Sequence, residues 1–184
     1  MAEPLADVII RDAAQAAENY YQLLVLVGPS GTGKTAALRE VHARTGAPLV
    51  NVNLDLSRRM LGLTERQRTL QLSMLLAEIV GTPETGIVLL DNIEILFDIS
   101  LKIDPLRLLQ NLSRNKTLVV AWNGSVGGGQ IIYASADHPE YRKYPIHDFI
   151  VINSDVYSGA AGSFEGGRSD GTDGTDCIAW GPTE

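Results

Sequence analysis

Apolar positions along the chain change their spacing several times, and each change marks an element. Leu5, Val8, Ile9, Ala13 and Ala16 fall roughly along one helical face, which predicts an alanine-rich helix over residues 5–21. The run Leu23-Leu-Val-Leu-Val27 is continuous instead, as in a strand over 22–27 buried on both faces of a sheet. Helix formers Ala36, Ala37, Leu38, Arg39 and Glu40 predict a helix from about 34 to 44, closed by Gly46. Ala47 to Leu54 reads as a second strand, with Pro48 tolerable near its start. Asp55 to Gly62 is polar and basic, and reads as a loop or short helix. Thr64 followed by Gln67 is a capping-box pattern for a helix over about 65–80, in which Leu72, Leu75, Leu76 and Ile79 recur at three- and four-residue spacing. Gly81-Thr-Pro-Glu-Thr-Gly86 stops it.

Ile87-Val-Leu-Leu90 opens another fully apolar strand, and Ile95, Leu96, Phe97 and Ile99 form an apolar patch after it. Asp104-Pro105 offers a cap and a first-turn proline for a helix carrying Leu106, Leu109 and Leu112. Thr117 to Trp122 is the next strand, ending at Asn123-Gly124. Residues 125–129, with three consecutive glycines, predict a mobile connection, and a short strand is expected over 130–134. The hydrophilic insert Asp137 to Pro145 then leads to a final strand over 148–152. These readings divide the chain into one α/β domain over 1–153 and a flexible tail rich in Gly, Ser and Asp over 154–184, too poor in apolar groups to repay its ordering entropy.

Composition narrows the function classes. The 184 residues are 45% apolar and only 20% charged, enough to bury a core and leave a partner-covered face. The net charge of -7 is uneven: from Asp155 onward six acids face Arg168 alone, so the first 154 residues carry only -2. A nearly neutral body does not advertise a broad nucleic-acid surface, so contact with DNA is expected only indirectly or through a complex. The single Cys177 excludes an intramolecular disulfide and a cysteine metal cluster. No apolar run approaches the roughly 20 residues of a membrane span, and the start Met-Ala-Glu-Pro lacks a basic secretion-signal region, so the expected location is cytoplasmic.

The candidate chemistry gathers around Gly28-Pro29-Ser30-Gly31-Thr32-Gly33-Lys34-Thr35, which matches G-x-x-x-x-G-K-[ST] at every fixed position. Between a strand and a helix, such a loop wraps its N–H groups around phosphates, the helix dipole favours the anion, and Lys34 clamps it. Thr35 would place its hydroxyl on a phosphate-bridging Mg2+. Strands alternating with helices predict a three-layer sheet whose ligands sit beyond the carboxyl ends of the strands. Asp91 lies at such an end, 57 residues after Lys34, where a carboxylate can hold the Mg2+ through water. Asn92 can orient a water but cannot take its proton, so Glu94 becomes the nearest carboxylate for a catalytic base, reaching the phosphate if the backbone turns sharply after Asp91. Asn123, at the end of the neighbouring strand, is a candidate sensor of the terminal phosphate. Arg107, Arg114 and Arg142 occupy no evident position for a cis arginine finger. Tyr20 or Tyr21 could meet an adenine, and Asp137, His138 and Glu140 are too compact a set for zinc.

Together these residues resemble the P-loop NTPases of the AAA+ class: Gly28 to Thr35 resembles Walker A, Ile87-Val-Leu-Leu-Asp-Asn92 Walker B, and Val119-Val-Ala-Trp-Asn123 the sensor 1 strand. Over residues 22 to about 152 the resemblance implies a mostly parallel five-stranded sheet of order 5-1-4-3-2, ATP and Mg2+ as cofactors, and the roles given above. Two departures stand out: Asn92 replaces the usual glutamate, and no helical lid with a second sensor arginine follows. More narrowly, Leu89-Leu-Asp-Asn-Ile-Glu94 and His138-Pro-Glu-Tyr-Arg-Lys-Tyr-Pro145 resemble the small P-loop proteins of BREX bacteriophage-defence systems. That resemblance implies a bacterial component of a defence complex, with other proteins of the complex or further copies of itself as partners.

The function expected is therefore an ATP-binding, weakly hydrolysing protein that uses nucleotide state to order residues 55–64 and 124–146 for a partner. A small-molecule kinase and a nucleotide-stabilised scaffold without turnover are the alternatives. Strand order separates the kinase class: a strand between those bearing Lys34 and Asp91 favours the AAA+-like class, and direct adjacency the kinase.

Overall fold

The computed structural model describes residues 3–158. The elements follow in the order α1 (Leu5–Ala16), β1 (Leu23–Gly28), α2 (Lys34–Thr45), β2 (Leu49–Asn51), α3 (Val52–Met60), α4 (Glu65–Gly81), β3 (Ile87–Asp91), two 3-10 turns (Glu94–Phe97 and Ile99–Leu101), α5 (Pro105–Leu112), β4 (Thr117–Asn123), β5 (Ser125–Gly127), β6 (Gln130–Tyr133), β7 (Arg142–Pro145), β8 (Ile150–Asn153) and α6 (Asp155–Ser158). Five strands form one sheet in the order β2-β3-β4-β1-β8, with every neighbouring pair parallel. This is the expected three-layer α/β sandwich with strand order 5-1-4-3-2. β4 lies between β1 and β3, as in the AAA+-like class and unlike the kinase arrangement.

The continuous apolar runs become central strands because both faces of the sheet are covered. Along β1, Leu23, Val25 and Val27 join a core shared with α3, α4 and α5, while Leu24 and Leu26 join the core under α1 and α2. Side chains alternate across a strand, so a strand with helices on both sides needs apolar residues at every position. The caps read from sequence are present: Thr64 and Gln67 form a reciprocal capping box on α4, and the Asp104 carboxylate accepts from the Arg107 N–H to start α5.

Five features differ from expectation. α1 stops at Ala16, so Tyr20 and Tyr21 lie beyond it, just before β1. β2 is only three residues long, because the Asn51 side chain accepts from the Leu54 N–H and starts α3 at once. Residues 125–129 are not a loose connection: Gly128 and Gly129 both take positive φ (57° and 71°) and close a two-residue hairpin between β5 and β6. β7, inside the hydrophilic insert, adds an antiparallel third strand to this second sheet. Residues 154–158, assigned above to the tail, instead begin with the fully buried Ser154 and continue as α6. The rest of the expected tail lies outside the described residues.

The small sheet is fastened to the large one by aromatics. The Phe97 and Tyr133 rings stack 3.5 Å apart, Trp122 of β4 meets Phe97 edge-on at 4.9 Å, and Tyr144 meets Trp122 at 6.0 Å. Gly124 forms the tight crossing between the sheets, since a Cβ there would lie 1.8 Å from the Ile132 carbonyl oxygen. Gly124→Ala therefore displaces backbone and is expected to lower stability by about 1–3 kcal/mol. Gly127→Ala, which meets only open space, changes stability by less than about 0.5 kcal/mol. Urea denaturation of the two variants beside the parent checks this contrast.

Candidate functional site

Parallel register brings the carboxyl ends of the strands to one edge: Gly28 pairs with Asn123, and Asn51 with Asp91. A cavity of about 360 Å3 opens there, lined by Ser30, Gly31, Gly33, Lys34, Thr35, Ala36, Arg39, Asp91, Asn92, Glu94, Ala121 and Asn123. Nine of the twelve residues singled out from sequence thus meet around one space. The other three are Gly28, Pro29 and Thr32. Gly28 and Pro29 present carbonyls to Lys34, and Thr32 turns toward Ser154.

Gly31 and Gly33 take φ of 86° and 83°, left-handed values that fold the loop back over the start of α2. No side chain caps α2, and its first turn contains no acid, so its leading N–H groups are unclaimed by side chains. α3, α4 and α5 are each capped by a side chain. The uncapped end carries the positive pole of the helix, suited to an anion. Lys34 is buried at 6% exposure, and its Nζ donates to the carbonyls of Gly28 (2.7 Å) and Pro29 (2.5 Å) and, at 3.3 Å, to the Thr32 hydroxyl. Burial pushes its pKa below the ordinary lysine value, against the pull of Asp91, Asp155 and Glu94.

Asp91 is nearly buried, and one of its carboxylate oxygens accepts from the Asn92 N–H at 3.0 Å. Asn92 then takes φ of 51°, a left-handed conformation that asparagine tolerates better than most residues. The sharp turn on which Glu94's reach depends is thus present. Glu94 lines the cavity with one carboxylate oxygen accepting from Asn123 Nδ2 (2.5 Å) and the other from Asn53 Nδ2 (2.8 Å). Asn53 is locked in turn: its own carbonyl oxygen accepts from the Ile95 N–H and its backbone N–H donates to the Asn92 carbonyl, each at 2.8 Å.

Thr35 and Asp91, a hydroxyl and a carboxylate on one cavity, form a hard-oxygen pair that fits Mg2+. Among the described residues no group of three His, Cys, Asp or Glu side chains could hold a metal ion. Two protein oxygens suit a cation that takes its remaining ligands from phosphates and water.

Asn53, Arg39 and Ser154 were not found from sequence. Arg39 had a usable signal, since it follows Lys34 by five residues on the helix the loop leads into. Asn53 and Ser154 gave none, because their partners are 41 and 122 residues away. Tyr20 and Tyr21 stand before the first residue of β1, at the opposite end of that strand from the phosphate loop, and line none of the cavities around it. Arg114 sits over the Tyr20 ring at 4.9 Å, and Arg107 and Arg142 also lie outside the lining. A second cavity of about 280 Å3, shared by Thr32, Gly33 and Ala36 with Pro4, Leu5 and Tyr157, continues from the loop on its other side.

Residues 24–120 match the family described as the ATPase family associated with various cellular activities (AAA), and this chain belongs to it. Among solved structures, PCH-2 of C. elegans is similar at 18% identity and a TM-score of 0.40, covering 66% of this chain and 37% of that one. A structure of Drosophila ORC bound to DNA is similar at 19% identity and a TM-score of 0.40, covering 82% and 42%. The chain thus spans about two-fifths of the length of each. No curated protein matches it. Among the described residues no helix is long and apolar enough to cross a membrane.

The Asn53 geometry yields a stability prediction. Asn53→Ala removes the donor to Glu94 and the acceptor for the Ile95 N–H together, and is expected to cost about 1–3 kcal/mol in urea denaturation. A loss below about 0.5 kcal/mol would show that these bonds are readily replaced by water.

Proposed function

We propose that this AAA-family chain binds ATP with Mg2+ where β1 passes into α2, hydrolyses it weakly, and serves as a nucleotide-dependent cytoplasmic component of a bacterial phage-defence complex. One observation carries the nucleotide reading: the ammonium of Lys34, the carboxylates of Asp91 and Glu94, and the amide of Asn123 converge on a single cavity at an uncapped helix start. The defence assignment rests on the resemblance carried by Leu89 to Glu94 and His138 to Pro145.

In this reading the unclaimed N–H groups of α2 and the Lys34 ammonium hold the phosphates, and Thr35 and Asp91 hold the cation. Bound Mg2+ neutralises charge that develops on the phosphate oxygens. The apolar cavity beside Thr32 and Tyr157 receives the base. Asn123 stands where it can bond an attacking water, and Glu94 is the group that takes the water's proton. Both Glu94 oxygens already accept amide N–H bonds. Hydrogen bonds to the charged carboxylate favour that form and weaken it as a base, which supports slow turnover. The small sheet and the α3–α4 connection then present nucleotide-dependent surfaces to other proteins of the complex or to another copy. Any contact with DNA runs through that complex.

Lys34→Ala is expected to abolish tight ATP binding in calorimetry, and unchanged affinity would refute the site. Asp91→Asn should weaken binding with Mg2+ more than binding in chelator, and equal losses would remove its metal role. Glu94→Gln should lower phosphate release at least about a hundredfold with ATP affinity retained. Thermal stabilisation by ATP and Mg2+ without phosphate release, alone or with partner proteins, would instead identify a nucleotide-stabilised scaffold.

A further inference from the structure

The Thr32 side chain leaves the phosphate cavity and meets Ser154, the residue between β8 and α6. Ser154 is fully buried, and its hydroxyl lies 2.8 Å from the Thr32 hydroxyl and 3.0 Å from the Val27 carbonyl oxygen. That carbonyl also receives the Ser154 N–H at 2.7 Å. The Ser154 hydroxyl occupies room that only glycine leaves, because a Cβ on Gly28 would lie 1.9 Å from its Oγ. Thr32 Oγ1 is 2.9 Å from the Pro29 carbonyl oxygen, one of the two carbonyls that receive Lys34.

Each hydroxyl has one proton to give. The Thr32 proton can go to the Pro29 carbonyl or to Ser154, and the Ser154 proton to the Val27 carbonyl or to Thr32. With Lys34 on the Pro29 carbonyl, Thr32 is free to donate to Ser154, and Ser154 to Val27. When Lys34 turns to a phosphate, the Pro29 carbonyl loses that donor and Thr32 is the side-chain hydroxyl already in reach. Ser154 then closes the pair by donating to Thr32, and its own N–H still serves Val27. Every group stays bonded in both arrangements, with no change beyond two hydroxyl rotations.

Building on the ATP-site reading, we propose that Ser154 is a positioning residue for nucleotide binding: it holds Thr32 so that the loop keeps its shape when Lys34 exchanges loop carbonyls for phosphate. It also ties the loop to α6, which carries Tyr157 onto the adjoining cavity.

The test measures MgATP affinity by calorimetry on the full chain, with apo melting temperature recorded in parallel. Ser154→Ala and Thr32→Val should each bind MgATP about fivefold to tenfold more weakly than the parent. The double variant should be no weaker than Thr32→Val alone, because the two hydroxyls act as a pair. A merely structural contact would lower the melting temperature and leave the affinity of the folded protein unchanged; that result, or additive losses, overturns the proposal. Should Ser154→Ala fail to fold, Thr32→Val decides by itself, and parental affinity overturns the proposal. Lys34→Ala separates the two levels. If it binds MgATP as the parent does, the site reading itself falls; if it loses binding while the Ser154 and Thr32 variants keep theirs, only the role of Ser154 falls.

Discussion

One strand's width sets the geometry of the site. Adjacent strands lie about 4.8 Å apart, so placing β4 between β1 and β3 separates the Lys34 loop from the Asp91 strand end by roughly 10 Å. Direct adjacency, the kinase arrangement, would bring the two strand ends to about one such spacing. The intervening strand instead opens a gap wide enough for a phosphate and a water. Its last residue, Asn123, stands in the middle of that gap, opposite Gly28 in register. The burial of Lys34 follows from the same spacing. With no carboxylate in bonding distance, its ammonium turns back onto the Gly28 and Pro29 carbonyls, a set of partners that an anion in the cavity can replace.

The same edge explains why the chain departs from the family pattern after Asp91. Position 92 takes φ of 51°, where asparagine is among the few non-glycine residues that fit readily. A glutamate there would carry its longer chain through a strained backbone. The turn at Asn92 moves the carboxylate two residues along the chain, and Glu94 arrives at the cavity wall held by Asn53 and Asn123. Asn92 is therefore part of the turn that brings Glu94 to the cavity wall.

Much of the fold was legible in the sequence because its signals are local. The run Leu23 to Val27, the Thr64 and Gln67 box and the Asp104-Pro105 pair each specify an element through neighbours within a few residues, and each forms as expected. Of the small sheet only β6 was read from sequence, because β5 and β7 are three or four residues long and rich in glycine or charge. Their pairing is decided by packing against Trp122 and Phe97, which no local pattern encodes. In the site, the loop residues and Asp91 were readable from spacing. Asn53 and Ser154 were hidden, since an isolated polar residue reveals its role only when the fold brings its partner to it.

The aromatic cluster gives this arrangement mechanical reach. Phe97 ends the turn that begins at Glu94, Trp122 precedes Asn123, and Tyr133 and Tyr144 belong to the small sheet. Tyr133 is buried deeply enough, with Glu140 and Glu94 nearby, that its pKa rises to about 12, so it packs as a neutral ring. Rings in a close-packed core constrain one another's position. Phe97 and Trp122, chain neighbours of Glu94 and Asn123, thus pack directly against the rings that β6 and β7 supply. The residues that line the cavity and those that hold the outer sheet are chain neighbours on the same two elements. A partner that stabilises one position of the small sheet would, by the reciprocity of coupled equilibria, bias the hydrogen bonding of Glu94 as well.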